Sequence, residues 1–572
     1  MSVSNAVQYL LFIAIVTLCV KPLGGFMHRV FTRQGTILDR LCVPMERWIY
    51  RLAGVDPSAE MTAGKYAISF IVFGLIGTLL LYAILRFQRF LPSFFPAYQT
   101  TPLSPDLSFN TAISFSTTTT WQAYAGENTM SYLSQMVGLC AQNFLAAAAG
   151  LAIGIAFIRG LARESCNTLG NFWVDVTRSL LWILLPAAVI GSLLLVWQGV
   201  PMNFRPYVSA SSLEGTTQII PQGPVATLEI IKNIGTNGGG FFNANGAHPY
   251  ENPTPLSNFI ELLSIVLLPA ALTNTLGRTV GHPRHGWLLY LVMIFLFAAG
   301  TIALHLSEQR ANSLVHGADF GANKLQAGGN MEGKEVRFGV GGTVLGGIVT
   351  SNAATGSVNA DDDSFTSLGG LVLLVNLFLG EVIFGGLGTG LSGMIMTAVI
   401  AVFLAGLMIG RTPEYLGKKI GPCENKMIVL YALTGPASIL ILTAIAALTK
   451  AGLAGLSTNG GSHGLTEIVF GFASSFANNG QAFAGLNANT AFYNVTTAIA
   501  MMAGRYGLAV PALLFAGIVA RQKKTPPSRG TLPTDSLTFG ILLTAFLVVV
   551  TALSYLPVLV LGPILEDLYY KI

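Results

Sequence analysis

Charge is scarce in this chain. Only 10% of its 572 residues are Asp, Glu, Lys or Arg, against about 25% in a soluble domain. No polar stretch is long enough to form a large soluble domain that would hold a nucleotide or a phosphorylated aspartate. A phosphate-binding G-x-x-x-x-G-K-[ST] loop is missing: Gly417-Lys418-Lys419 has no leading glycine at the required distance. A zinc-protease pair of His-Glu-x-x-His type is missing too. The chain is therefore expected to hold no catalytic residues and no nucleotide. Five cysteines (Cys19, Cys42, Cys140, Cys166, Cys423) are scattered without CxxC spacing, which excludes a disulfide framework and a thiolate metal site. The net charge of +5 comes without any basic cluster interleaved with aromatics, which argues against nucleic acid.

What is present is apolar: 52% of the residues are hydrophobic. The unit to seek is a run of about 20 apolar residues, one bilayer crossing. Ten such spans are expected, at 4–23, 64–88, 131–158, 179–199, 255–276, 286–306, 365–409 (interrupted), 427–449, 488–520 and 537–561. The first, Val7 to Val20, has no basic flank before it and no small-residue cleavage site after it, and reads as a retained helix. The chain is thus an all-α polytopic membrane protein.

Four shorter, half-apolar stretches, 108–118, 224–235, 342–353 and 465–477, are too short to span. Each precedes a polar loop of small residues: Thr117-Thr118-Thr119-Thr120-Trp121-Gln122, Thr236-Asn237-Gly238-Gly239-Gly240, Ala353-Ala354-Thr355-Gly356-Ser357 and Ala477-Asn478-Asn479-Gly480-Gln481. Thr119, Asn237, Thr355 and Asn479 follow one another at 118, 118 and 124 residues. A fixed period of this kind is an internal repeat. The expected plan is helix, pore helix, loop, helix, four times, with one extra helix at each end. The units are 1–60 (first helix and loop), 61–165, 166–284, 285–425 and 426–530 (four repeats) and 531–572 (last helix).

Non-helical backbone at membrane depth is tolerated only where protein buries it or it lines a watery cavity. Glycines let such backbone approach closely and turn its carbonyls to a common axis. A dehydrated cation needs those neutral oxygens in place of its hydration shell. The candidate ligands are the carbonyls of Thr118, Thr119, Thr236, Asn237, Ala354, Thr355, Asn478 and Asn479, with Gly238, Gly239, Gly356 and Gly480 supplying the turns. The bland alternative is four ordinary loops capping helix ends. Gln122 either braces the first loop, faces the ion path or is merely solvated.

Four further groups carry two readings each. Glu381 and the run Gly385, Gly386, Gly388, Gly390 break the seventh span, either as a gating or coupling loop or as tight packing through small residues. Arg505 lies inside an apolar span, either as a fixed charge below the filter or as one half of a packing ion pair. Arg411 and Glu414 form a solvated pair at a helix end or a weak contact to a partner. The run Asp361-Asp362-Asp363 reads first as a solvated acidic loop and second as a cation-concentrating mouth.

Lys and Arg orient the chain. Residues 21–51, 159–178, 278–284, 411–426 and 521–529 carry most of them and are expected to be cytoplasmic. The pore loops and both termini then lie on the opposite side. The connection 306–338 is mixed in sign and is placed outside with them.

The stretch Thr236 to Asn245, followed by His248-Pro249-Tyr250-Glu251-Asn252-Pro253-Thr254, resembles the KdpA family. So do Gly410-Arg411-Thr412-Pro413-Glu414-Tyr415-Leu416-Gly417-Lys418-Lys419-Ile420, Ala477-Asn478-Asn479-Gly480 and Trp121-Gln122. These are the potassium-binding, channel-like subunits of bacterial Kdp potassium-importing ATPases. The similarity runs from the first helix to the last. Two departures stand out: threonine fills the first loop where the family often has asparagine, and Asp361-Asp362-Asp363 replaces a less acidic run. The resemblance implies the fold of the superfamily of potassium transporters, K+ as the transported ion, and a bacterial inner membrane. It also implies three partners: a P-type ATPase subunit (KdpB-like), a single-span accessory subunit (KdpC-like) and a small membrane peptide (KdpF-like). The alternative is a stand-alone potassium channel or ion-gradient-coupled transporter of the same superfamily.

Overall fold

The computed structural model describes residues 3–91, 102–310, 320–322, 328–380, 382–408, 410, 413–526 and 532–569. Among them, ten helices are long and apolar enough to cross a membrane. In chain order the main helices are α1 (Val3–Thr32), α2 (Asp39–Ala53), α3 (Ala63–Phe87), α4 (Pro105–Ser116), α5 (Ser134–Ala162), α6 (Phe172–Trp197), α7 (Val225–Ile234) and α8 (Pro255–Thr279). They continue as α9 (Pro283–Glu308), α10 (Gly339–Asn352), α11 (Ser367–Phe378), α12 (Thr389–Met408), α13 (Pro422–Leu448), α14 (Gly461–Phe476), α15 (Ala491–Ala520) and α16 (Leu537–Tyr569). The pore helices are α4, α7, α10 and α14, 10 to 16 residues each. Among the described residues the sheet is limited to two small antiparallel hairpins, Val208–Ser211 with Thr217–Ile220 and Glu414–Tyr415 with Lys418–Lys419.

Local chemistry fixes where these helices start. Ser104 accepts the Leu107 N–H, and Pro105 opens α4 with φ already helical. Thr254 and Ser257 form a capping box before Pro255 at the start of α8. Burial then sorts the spans. The most hydropathic 18-residue window of α5 is 83% buried and that of α8 72%, whereas those of α1 and α13 are only 28% and 22% buried. The helices that follow the first two loops line the centre, and the flanking ones face lipid.

One expectation needs correction. Residues 21–51 are not an open loop: α1 continues to Thr32, and α2 lies beyond it, with Cys42, Glu46 and Tyr50 buried. The seventh span is interrupted as expected: α11 and α12 are separate helices, and residues 379–380 and 382–388 between them are non-helical.

The first and last helices pack beside pore-helix starts. The Tyr9 hydroxyl donates to the Gly341 carbonyl (3.2 Å), and Glu566 pairs with His463 (2.9 Å). At the other end, basic connections meet: Lys418 donates to the carbonyls of Arg163 (2.8 Å) and Gln522 (2.6 Å).

Candidate functional site

The four pore helices end at four loops that share one backbone turn. Thr118 (φ 69°), Thr236 (51°), Ala354 (50°) and Asn478 (52°) all lie in the left-handed region. Non-glycine residues seldom adopt it, and four at one repeat position mark a geometry imposed by tertiary structure. The sequence placed this turn on the glycines two residues later. That is the correction: Gly238 (104°) and Gly480 (99°) carry a second positive φ, while Gly356 does not.

Gly356 is needed for space. A Cβ there would stand 2.7 Å from the Asn479 carbonyl oxygen. At Gly238 a Cβ would collide with the Gly356 backbone, and at Gly480 with the Thr119 carbonyl oxygen. A Cβ at Gly239 would lie 3.1 Å from the Thr120 carbonyl and from Gln122 Oε1. Each loop therefore touches the next, and the fourth returns to the first: a closed ring built by one chain. Gly238 and Gly356 also form a parallel backbone bridge.

Side chains of the ring turn outward into the scaffold. Asn237 Nδ2 donates to the Asn143 carbonyl (3.3 Å) and Asn479 Nδ2 to Thr350 (2.7 Å). Asn478 Nδ2 bonds Thr119 Oγ1 and the Met501 carbonyl, both at 3.0 Å. Thr355 Oγ1 donates to the Ala353 carbonyl at 2.9 Å. The N–H groups of Asn237, Thr355 and Asn479 donate back to carbonyls five residues earlier, which fixes each loop on its helix. The carboxyl ends of four helix dipoles also converge here, a field that favours a cation.

Beyond the ring lies a cavity of 810 Å³. Thr120, Gly356 and Gly480 line its floor, and Gln122, Asn243 and Asp362 are among its wall residues. Gln122 spans the first two loops: its Nε2 donates to the Gly240 carbonyl (3.1 Å) and its Oε1 accepts the Gly240 N–H (2.9 Å).

The KdpA profile (Potassium-transporting ATPase A subunit) matches residues 10–568. The chain is 49% identical over 586 residues to the "Potassium-transporting ATPase potassium-binding subunit" of Koribacter versatilis, covering 99% of both. Its namesake in Methylorubrum extorquens is 50% identical over 566 residues, covering 99% of this chain and 98% of the relative. The chain belongs to the KdpA family. The potassium transporter TrkH of Vibrio parahaemolyticus shares the fold: TM-score 0.51 at 12% identity, over 89% of this chain and 97% of that one.

On the ring face away from the cavity, this KdpA-family chain places Arg505 and the break between α11 and α12. Arg505 is buried. It donates to Thr118 Oγ1 (3.2 Å) and the Ala146 carbonyl (2.8 Å), and its guanidinium lies 5.4 Å from the Phe70 ring centre. The Leu387 N–H donates to Thr236 Oγ1 at 2.8 Å. Gly388 lies against Gly150 and Gly154 of α5 so closely that a side chain there would strike backbone. Gly385 and Gly386 are buried beside it, and Gly390 opens the first turn of α12. Glu381 and Arg411 lie outside the described residues. Glu414 sits half-buried in the second hairpin, far from the ring in sequence.

Two features escaped the sequence reading. Lys232, fully buried on α7, pairs with Glu229 (2.7 Å) and Glu251 (3.0 Å), and reaches Asn245 Oδ1 (2.7 Å). Its own carbonyl holds the Asn237 N–H, and Glu251 accepts the Phe242 N–H at 2.8 Å, so this charged cluster backs the second loop. The signal was there: Glu229 and Lys232 stand three apart in an apolar stretch. The other feature lies in the acidic run, where Asp361 is exposed but Asp362 is not. Asp362 is buried against Gln481 Nε2 (2.9 Å), and burial, with Asp361 beside it, pushes its carboxyl up to about 8.

Proposed function

We propose that this chain is the potassium-selective, channel-like subunit of an ATP-driven importer in a bacterial inner membrane. The closed ring of four like-turned loops carries the reading. Carbonyl oxygens of Thr118, Thr119, Thr236, Asn237, Ala354, Thr355, Asn478 and Asn479 replace the water around K+. Gly238, Gly239, Gly356 and Gly480 allow the loops to close. Gln122 holds the first loop to the second. Family membership supports the rest: relatives of this length at about half identity bear the name of a potassium-binding subunit.

ATP hydrolysis then falls to a separate P-type ATPase subunit, with a single-span subunit and a small membrane peptide completing the assembly. Arg505 stands as a fixed charge beneath the filter that resists passive flow. The segment 381–390 acts as the gate or coupling element, and Arg411 and Glu414 as a weak partner contact. The repeats divide at 61–165, 166–284, 285–425 and 426–530. The ring, its cavity and both termini face away from the cytoplasm, because the clustered basic loops occupy the opposite end.

The test is potassium-stimulated ATPase activity of the co-purified assembly, set against potassium flux from the chain alone in liposomes. Activity only with partners, and no flux alone, is the expected result. Flux from the chain alone, with no ATPase recovered, would favour a free-standing channel or gradient-coupled transporter.

A further inference from the structure

Beside the cavity, but outside the ring, four ionisable side chains from three distant segments meet. His463 begins the fourth pore helix, Asp363 follows the third loop, Glu467 lies one turn after His463, and Glu566 comes from the last helix. His463 Nδ1 pairs with Glu566 Oε1 at 2.9 Å, and Nε2 with Asp363 Oδ1 at 2.9 Å. Glu467 Oε1 stands 3.7 Å from Nε2. One donor atom each from Asp363, His463 and Glu467 fall within 4.8 Å of one another.

Two observations point to a ligand. Glu467 is fully buried, and while its Oε1 accepts from Asn459 (2.8 Å), its Oε2 has no hydrogen-bond partner. A buried carboxylate oxygen left unpaired is costly. The charges also fail to balance: three carboxylates surround one imidazole, so even a protonated ring leaves an excess of two negative charges. A dication in place of the ring proton lowers that excess to one.

We propose that Asp363, His463 and Glu467 form a binding site for a transition-metal dication, with Glu566 orienting the histidine from behind. The mixed nitrogen and oxygen donors suit zinc or its neighbours better than magnesium or calcium. Donors ligating one zinc at about 2.0–2.2 Å stand roughly 3–4 Å apart, so the observed spacing needs only a small contraction. Glu566 holding Nδ1–H leaves Nε2 for the metal, the usual carboxylate–histidine–metal arrangement. Metal ligation requires the neutral imidazole, so zinc uptake displaces any proton held at Nε2. Bound metal would staple the last helix to the loop carrying Asp362, a wall residue of the cavity. The site stands independently of the filter reading.

The test uses the full-length purified chain, stripped with chelator and titrated with zinc by calorimetry, with thermal unfolding in parallel. One zinc per chain and a raised Tm are expected. His463→Ala abolishes both, and Glu566→Gln weakens binding by about 10- to 100-fold. Should His463→Ala fail to fold, Glu467→Gln gives the same readout, with binding at least about tenfold weaker. No zinc uptake by the wild type overturns the site. So does wild-type affinity in a folded His463→Ala or Glu467→Gln variant.

Discussion

The first and second loops do the same job with opposite materials. The second has Gly238, Gly239 and Gly240 in a row, and a buried charged cluster around Lys232 behind it. The first has no glycine. Thr120 stands where the others have glycine and holds φ at 47°, and it is its N–H, one position later than in the other loops, that returns to the carbonyl of the pore helix, here Ser114. Neutral contacts brace it: Ser114 Oγ bonds the Trp121 carbonyl (3.1 Å), and Gln122 clasps Gly240. The second loop takes its further positive φ on glycines and is held by charge. The other is bent against its preference and held by packing and amides. The shared loop geometry can thus be imposed from outside the loop as well as permitted from within it.

The largest effect should come from removing the charge behind the second loop. Lys232→Met leaves Glu229 and Glu251 buried without their cation, at a cost of about 3–5 kcal/mol. Thermal unfolding would show it, and an unchanged Tm would break the contrast between the loops. Gly238→Asp comes next. Its Cβ meets the Gly356 backbone at a positive φ, a strain of about 1–3 kcal/mol, or roughly 10- to 100-fold in potassium affinity. Gln122→Ala loses both bonds to Gly240, about 1 kcal/mol each. Potassium activation of the assembly should then need up to about thirtyfold more ion. No change would mean that the first loop stands without the second. Thr120→Gly is the smallest and runs the other way. Relief of the left-handed threonine should stabilise the chain by about 1 kcal/mol and leave potassium affinity nearly unaltered. A loss as large as that of Gly238→Asp would show that the threonine itself is required.

Much of the architecture was legible because apolar length and loop spacing are one-dimensional signals. The spans and the four short helices before the loops needed nothing more. The ring was legible as a repeat, but not its turn. Threonine, alanine and asparagine at 118, 236, 354 and 478 do not announce a positive φ, which the fold imposes on them. Lys232 was passed over because its partners Glu251 and Asn245 come from a later loop. Asp361-Asp362-Asp363 looked solvated because sequence shows charge and not burial. Only the fold brings Gln481 to Asp362 and His463 to Asp363.

The central claim is that a ring of loop carbonyls selects potassium. Its most direct test is calorimetric titration of the purified chain with potassium, against a sodium background, in wild type and Gly238→Asp. Saturable potassium binding in the wild type, shifted at least tenfold in the variant, is the predicted result. Equal affinity in both, or an equal response to sodium, would contradict it.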